Sequence, residues 1–162
     1  MTRATILFYV ISIMELVAAR LIAKRWCVGY FLGGLIFGLY NEVCYEFCWN
    51  YSQELRPMIW RDVPLIVILG WGLMTMLTLT LANRAALALK WKNVWLIKLL
   101  DVAIFFCFGI INEQTMSKLH FWSYNNPLQA ELSIQIFGYI MLGAFITSVG
   151  RELQDMIDKK VT

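Results

Sequence analysis

The sequence predicts an all-α integral membrane protein, a bundle of five transmembrane helices that forms one domain over residues 1–162. Of its residues 60% are hydrophobic and 15% are charged, and the mean hydropathy is +0.63, which leaves too little polar surface for a soluble domain. Several apolar runs approach the roughly 20 residues that cross a bilayer core. These runs are continuous rather than alternating, so they predict helices and not the strands of a barrel.

Each predicted helix follows one apolar run. The first run continues beyond the length of a signal-peptide core, so we interpret it as a transmembrane helix and not as a cleaved leader. The third helix is predicted to begin at Pro64, because a proline costs no hydrogen bond in a first turn. The predicted helices cover residues 4–22, 27–47, 64–81, 94–112 and 132–149.

The second helix carries four glycines that form two small-xxx-small pairs, a pattern typical of close helix packing in membranes. They are Gly29, Gly33, Gly34 and Gly38. We therefore expect this helix to lie inside the bundle.

Lysine and arginine residues predict the orientation, because they are enriched in cytoplasmic loops. With five crossings, three basic groups fall on one face, which we expect to be cytoplasmic. The chain would then have its N-terminus outside and its C-terminus inside, in the inner (plasma) membrane of a bacterium or archaeon. The three groups are Lys24 and Arg25; Arg84, Lys90 and Lys92; and Arg151, Lys159 and Lys160.

A short pattern occurs twice in the chain. Residues 37–42 read FGLYNE and residues 108–113 read FGIINE, and each copy ends a predicted helix. A Trp-x-Tyr element follows each copy, at 49–51 and 122–124, and a proline comes after each. The pattern predicts a parallel internal repeat in which helices two and three correspond to helices four and five. The alternative for the aromatic residues is an interfacial belt, where Trp and Tyr rings are common.

Acidic residues within the predicted helices are the main candidates for chemistry. A charge at the centre of the bilayer costs about 2.5–3.5 kcal/mol on insertion scales, so such residues normally face a cavity or a partner. Glu42 and Glu46 are one helical turn apart, which predicts a shared face, and Glu113 is the repeat partner of Glu42. Asp101 has Lys98 one turn before it, so we expect a structural ion pair there.

A carboxyl group that carries a proton can act as a general acid. We therefore predict Glu42, Glu113 and Glu46 as catalytic residues. The predicted substrate-binding residues are Trp49, Tyr51, Trp122, Tyr124, Asn41, Asn112 and Glu15.

Other chemistry receives little support from the sequence. His120 is the single histidine, and no spacing of ligands requires a metal, so we predict no metal and no cofactor. Cys44 and Cys48 lack CxxC spacing and are interpreted as packing residues. No nucleotide-binding or nucleophile motif is present, and the net charge of +3 requires no nucleic-acid partner.

The duplicated glutamate, Trp-x-Tyr and proline resemble membrane enzymes of carotenoid biosynthesis, the bacterioruberin-type hydratases and heterodimer-type lycopene cyclases. The resemblance covers residues 37–71 and 108–138, although this chain is shorter and lacks their glycine-rich stretch. It implies a cofactor-independent reaction on a long polyene that begins with protonation of a double bond. It also implies Glu42 and Glu113 as acid and base, with the four Trp-x-Tyr rings facing a carbocation.

Three functions remain open at this point. The first is an enzyme that acts on an isoprenoid or another lipid through buried carboxylates. The second is an accessory or assembly subunit of a larger membrane complex. The third is a small proton-coupled transporter, for which Glu15 would be the indicator. The expected partners are a membrane lipid or apolar small molecule, with further copies of the chain or subunits of a membrane complex, and no nucleic acid.

Overall fold

The computed structural model describes residues 3–161, and the side chains of residues 5–160. The described part of the chain contains five α-helices in the predicted order. They are α1 (Arg3–Ala23), α2 (Val28–Cys44), α3 (Leu65–Ala88), α4 (Val94–Lys118) and α5 (Leu132–Val161).

Four of these helices are long and apolar enough to cross a membrane. They are α1, α3, α4 and α5. α2 has 17 residues, which at 1.5 Å per residue gives about 26 Å, near the lower limit for a transmembrane helix. A fifth crossing by α2 stays a prediction.

The helix ends differ from the predicted ones because hydrogen bonding continues past the apolar runs. α3 ends at Ala88 and not at residue 81, α4 at Lys118 and not at residue 112, and α5 at Val161 and not at residue 149. The added segments are rich in Ala, Leu, Glu, Gln and Lys, which favour helices in polar surroundings as well. Apolar runs therefore locate the apolar part of each helix, but not its ends.

The end of α2 changes one prediction about the carboxylates. The helix stops at Cys44, and Tyr45 leaves the helical conformation with φ −117° and ψ 21°. Glu46 then lies in a short 3₁₀ turn, Glu46–Cys48. The prediction that Glu42 and Glu46 share one face of a regular helix is therefore wrong.

α2, α3, α4 and α5 form the bundle, and α1 packs on its outside against α3. α2 contacts both α3 and α5, in agreement with the expectation from its glycines that this helix lies inside the bundle. A Cβ atom on Gly33 would lie 2.6 Å from the Cα atom of Gly150 in α5, so only glycine allows this approach of the two backbones.

Short strands lie at one end of the bundle and were not predicted. β1 (Trp49–Tyr51) pairs in antiparallel fashion with β4 (Trp122–Tyr124), so that the two Trp-x-Tyr elements are joined directly. In this register Trp49 is opposite Tyr124 and Tyr51 is opposite Trp122. β2 (Met58–Trp60) pairs with β3 (Val63–Pro64) nearby in sequence. We call this end of the bundle the strand end.

The opposite end, which we call the basic end, gathers the charged loops. Arg25 forms an ion pair with Asp158 of α5, with a nitrogen–oxygen distance of 2.9 Å. Arg84 donates hydrogen bonds to the carbonyl groups of Ile22 and Ala23 at the end of α1. The α1–α2 loop, the end of α3 and the end of α5 therefore lie together, away from the strands.

Candidate functional site

A cavity of about 210 Å³ lies inside the bundle at the strand end. All five helices and both strands of the β1–β4 pair contribute to its walls. Two acidic side chains line it, Glu42 from α2 and Glu113 from α4. We call it the carboxylate cavity.

Glu42 is 2% exposed and accepts hydrogen bonds from three neutral donors. The Tyr51 hydroxyl donates to its Oε2 atom, and the Trp71 indole donates to its Oε1 atom at 2.8 Å. The side-chain amide of Asn41 makes a longer contact with Oε1, at 3.5 Å. The donors come from a strand, from the next helix and from the preceding residue, so three elements hold one carboxyl group.

Glu113 is 6% exposed and has a matching set of donors. The Trp122 indole and the Tyr124 hydroxyl donate to its Oε1 atom at 2.7 and 2.5 Å. The Tyr139 hydroxyl of α5 donates to Oε2 at 3.1 Å. As at Glu42, a strand and the following helix supply the donors.

A glycine one turn before each glutamate makes room for the aromatic donor on the next helix. A Cβ atom on Gly38 would lie 2.6 Å from the Cβ atom of Trp71. A Cβ atom on Gly109 would overlap the ring of Tyr139 in the same way. The Phe-Gly-x-x-Asn-Glu pattern therefore has a physical basis: the glycine admits the ring, and the ring donates to the glutamate.

Aromatic rings from the two halves of the cavity contact each other. The rings of Tyr51 and Trp122 are 6.1 Å apart between centroids, and Trp49 lies 6.5 Å from both Tyr51 and Tyr124. On the helix side, Trp71 stacks with Tyr139 at 6.2 Å and an interplanar angle of 26°. These contacts link the surroundings of the two carboxyl groups.

Among the described side chains, neither Glu42 nor Glu113 forms an ion pair that would compensate a negative charge on its carboxyl group. The acidic partners of the described ion pairs are Glu46, Asp101 and Asp158. Burial raises the pKa of the Tyr51 hydroxyl well above its usual value, and the negative charge of Glu42 raises it further. Burial and the charge of Glu113 likewise raise the pKa of Tyr124. Both hydroxyl groups therefore keep their protons and act as donors at neutral pH.

Most of the predicted site residues line the carboxylate cavity. Besides the two glutamates, these are Asn41, Asn112, Trp49, Tyr51, Trp122 and Tyr124. Glu46 forms an ion pair with Arg61 and does not line it. Glu15 is half-buried on α1 and lines neither this cavity nor the apolar groove of about 340 Å³ between α1, α2 and α3.

Asp101 forms an ion pair, but its partner is not the predicted Lys98. Arg151 of α5 contacts both oxygen atoms of Asp101 through two guanidinium nitrogens. The ammonium group of Lys98 instead lies 5.4 Å from the centre of the Trp95 ring. An arginine that reaches a buried carboxylate with two parallel hydrogen bonds forms a stronger contact than a neighbouring lysine on the same helix surface.

Two residues of the cavity, each on the helix that follows a repeat, were not predicted from the sequence. Trp71 and Tyr139 donate to the two glutamates, and each comes directly after a glycine that lines the cavity, Gly70 and Gly138. The shared glycine–aromatic pair was the available signal. Within the described residues no group of three histidine, cysteine or acidic side chains is arranged to hold a metal ion.

The chain matches no protein family, no curated protein and no solved structure.

Proposed function

We propose that the protein is a membrane enzyme that transfers protons to and from an unsaturated apolar lipid of the isoprenoid class, in a hydratase-like or cyclase-like reaction. One observation carries this proposal. Glu42 and Glu113 are both buried and line one cavity, and among the described side chains each is held by neutral donors and has no cationic partner. Carboxyl groups in such surroundings are typical general acids and bases.

The proposed reaction begins with a proton on one carboxyl group. Its transfer to a double bond forms a C–H bond, breaks the π bond and leaves a carbocation on the neighbouring carbon. The other carboxylate then removes a proton from an adjacent carbon, which restores a double bond in an isomerised or cyclised product. In the hydratase variant, water adds to the carbocation and the carboxylate takes the proton that the water releases.

We assign the acid to Glu42 and the base to Glu113. The third donor of Glu42 is the distant amide of Asn41, at 3.5 Å, whereas Glu113 has three donors within 3.1 Å. Three close donors can stabilise a negative charge on a carboxyl group, so Glu113 suits the role of base.

The aromatic walls suit a positively charged intermediate. The faces of Trp and Tyr rings carry negative electrostatic potential and attract a cation placed over them. Because these rings are held by packing, and three of them also by hydrogen bonds to the glutamates, they need little rearrangement when charge develops. The rings contributed by the strands are Trp49, Tyr51, Trp122 and Tyr124.

Access from the bilayer would occur beside α5. Gly138 lines the cavity, and a Cβ atom at this position would meet no atom within 4 Å. Ile134, one turn earlier, also lines the cavity and is 51% exposed. A lipid chain could therefore pass from the lipid side of α5 to the carboxyl groups.

The membrane setting and the duplication form part of the proposal. We propose a bacterial or archaeal plasma membrane with the basic end in the cytoplasm, since lysine and arginine concentrate on that side. The strand end, with the carboxylate cavity, then lies near the outer surface.

The matching positions of Gly38 and Gly109, and of Trp71 and Tyr139, support a duplicated helix pair.

The hypotheses of a transporter and of an accessory subunit have less support. Glu15, the residue that suggested a proton-coupled transporter, does not line the cavity. A subunit that served assembly alone would not need an internal cavity with two carboxyl groups.

Deuterium labelling tests the proposed function. Membranes that contain the protein would be incubated with isoprenoid lipids in deuterated water, and the products analysed by mass spectrometry. We expect deuterium on product carbon with the wild type and none with Glu42→Gln or Glu113→Gln. Glu46→Gln is the matched control because Glu46 lies outside the cavity, and it should keep activity. Labelling that is equal with and without the protein would refute the proposal.

A further inference from the structure

The carboxylate cavity has an imbalance of charge. Its walls contain two carboxyl groups, and none of the described side chains that line it belongs to a lysine, arginine or histidine. The six groups that donate hydrogen bonds to the carboxyl groups are neutral amide, indole and hydroxyl groups. A buried carboxylate without an opposite charge is unfavourable, and a cation placed near it removes much of that penalty.

A further acceptor in the same cavity, unlike the two carboxyl groups, has no hydrogen-bond partner among the described residues. The side-chain oxygen of Gln129 is buried and accepts no hydrogen bond among the described residues, while its amide nitrogen donates to the sulfur of Cys48 at 3.0 Å. Two other buried atoms share this condition, on Glu46 and Thr80, but neither residue lines the cavity. Because buried polar atoms are normally paired, this oxygen indicates a ligand that carries an N–H or O–H donor.

Aromatic side chains complete the walls. Trp71 and Tyr139 from the helices join the four rings from β1 and β4. A set of aromatic rings with nearby carboxylates is the usual surrounding of an organic cation in proteins, since the ring faces and the carboxylates both favour positive charge.

The size of the cavity limits which part of a ligand it can hold. Pockets for complete small-molecule ligands measure about 300–1,000 Å³, whereas this cavity measures about 210 Å³. It therefore suits one end of a longer molecule, with the rest leaving past Gly138 into the lipid.

We infer that the carboxylate cavity recognises positive charge, and that it binds the protonated head of an alkylamine more tightly than a neutral molecule with the same carbon skeleton. The alkyl chain extends past Gly138, the ammonium group lies near Glu42 and Glu113, and one N–H donates to Gln129. The inference rests on the proposed function in one respect, because it takes this cavity as the functional site. It adds that the site favours the cationic state of its ligand over the neutral state.

A binding comparison tests this inference on the purified full-length protein in detergent. The probes are geranylammonium chloride and geraniol, which share one carbon skeleton and differ in charge. Binding is followed by quenching of tryptophan fluorescence, since Trp49, Trp71 and Trp122 line the cavity. We expect the ammonium probe to bind at least about tenfold more tightly at pH 7, which corresponds to about 1.4 kcal/mol.

Variants locate the source of this preference. Glu42→Gln and Glu113→Gln should each reduce the ratio of the two affinities, while Glu46→Gln should preserve it. Gly138→Leu should weaken the binding of both probes equally, because the leucine side chain fills the route from the lipid without removing a charge. Geranyltrimethylammonium, which has no N–H donor, should bind more weakly than geranylammonium.

The result that overturns the inference is equal affinity of the wild type for geranylammonium and geraniol. This comparison needs no variant, so it holds even if a glutamate substitution prevents folding. A preference that persists in both glutamine variants would also overturn it, since the charge would then be recognised elsewhere. Charge preference without deuterium labelling of any lipid would refute the proposed function alone. Labelling that depends on Glu42, without charge preference, would refute this inference alone.

Discussion

The close contact between Gly38 and Trp71 allows a quantitative test of how the site is built. In Gly38→Ala the new methyl group would lie 2.6 Å from the Cβ atom of Trp71 and 2.8 Å from two of its ring atoms, where ordinary contact begins at 3.4 Å. The Cβ atom of Trp71 is fixed to the backbone of α3, so no change of rotamer removes the overlap. Overpacking of this kind costs about 1–3 kcal/mol.

Gly138→Ala is the matched control because it adds the same methyl group to a helix at the edge of the same cavity. The new atom meets nothing within 4 Å, so we expect no loss of stability. A gain of up to about 1 kcal/mol is expected because alanine makes the unfolded chain less flexible than glycine does. Because both variants replace a glycine by alanine, this gain is common to them, and they should differ by about 1–3 kcal/mol in the free energy of unfolding.

Reversible unfolding in mixed micelles measures this difference. The wild type, Gly38→Ala and Gly138→Ala would be titrated with denaturing detergent under the same conditions, with helix content as the signal. A Gly38→Ala protein as stable as Gly138→Ala would refute the packing of Trp71 against Gly38, and with it the proposed basis of the Phe-Gly-x-x-Asn-Glu pattern.

Three further predictions follow from single contacts. Trp71→Phe keeps a ring but removes the indole donor to Glu42, so it should lower stability by about 1–3 kcal/mol, measured by the same titration, because a buried acceptor loses a partner. Asp101→Asn should cost about 3 kcal/mol because it leaves the guanidinium group of Arg151, whose side chain is 23% exposed, without a countercharge, whereas Lys98→Gln should change stability little. The raised pKa values of Tyr51 and Tyr124 mean that the unfolded chain releases these protons near pH 10 while the folded protein keeps them. Stability from these two groups is therefore complete below pH 10 and falls above it, and Tyr51→Phe should make that fall shallower in a pH series of unfolding titrations.

The five helices could be predicted because each depends on a continuous apolar run within one short segment. The two glutamates that line the cavity could be singled out for a related reason. A carboxyl group inside an apolar run is costly in lipid, so its presence indicates a cavity or a partner wherever the neighbouring helices lie.

The partners of those glutamates could not be predicted from spacing. Trp71 is 29 residues from Glu42, and Tyr139 is 26 residues from Glu113. The contact of Asp101 with Arg151 spans 50 residues, and the nearer Lys98 was the wrong choice. These contacts depend on which faces of two helices meet, and the hydrophobic pattern of either helix does not contain that information.

By itself, the sequence determined that the chain forms apolar helices and that two of them carry a glycine one turn before a glutamate. Those features depend on residues within a few positions of one another. Only the tertiary structure decided that β1 pairs with β4, that Trp71 and Tyr139 occupy the space left by Gly38 and Gly109, and that both carboxyl groups line one cavity. The physical reason is that these contacts form between distant segments, and their geometry is set by the packing of α2–α5 as a whole.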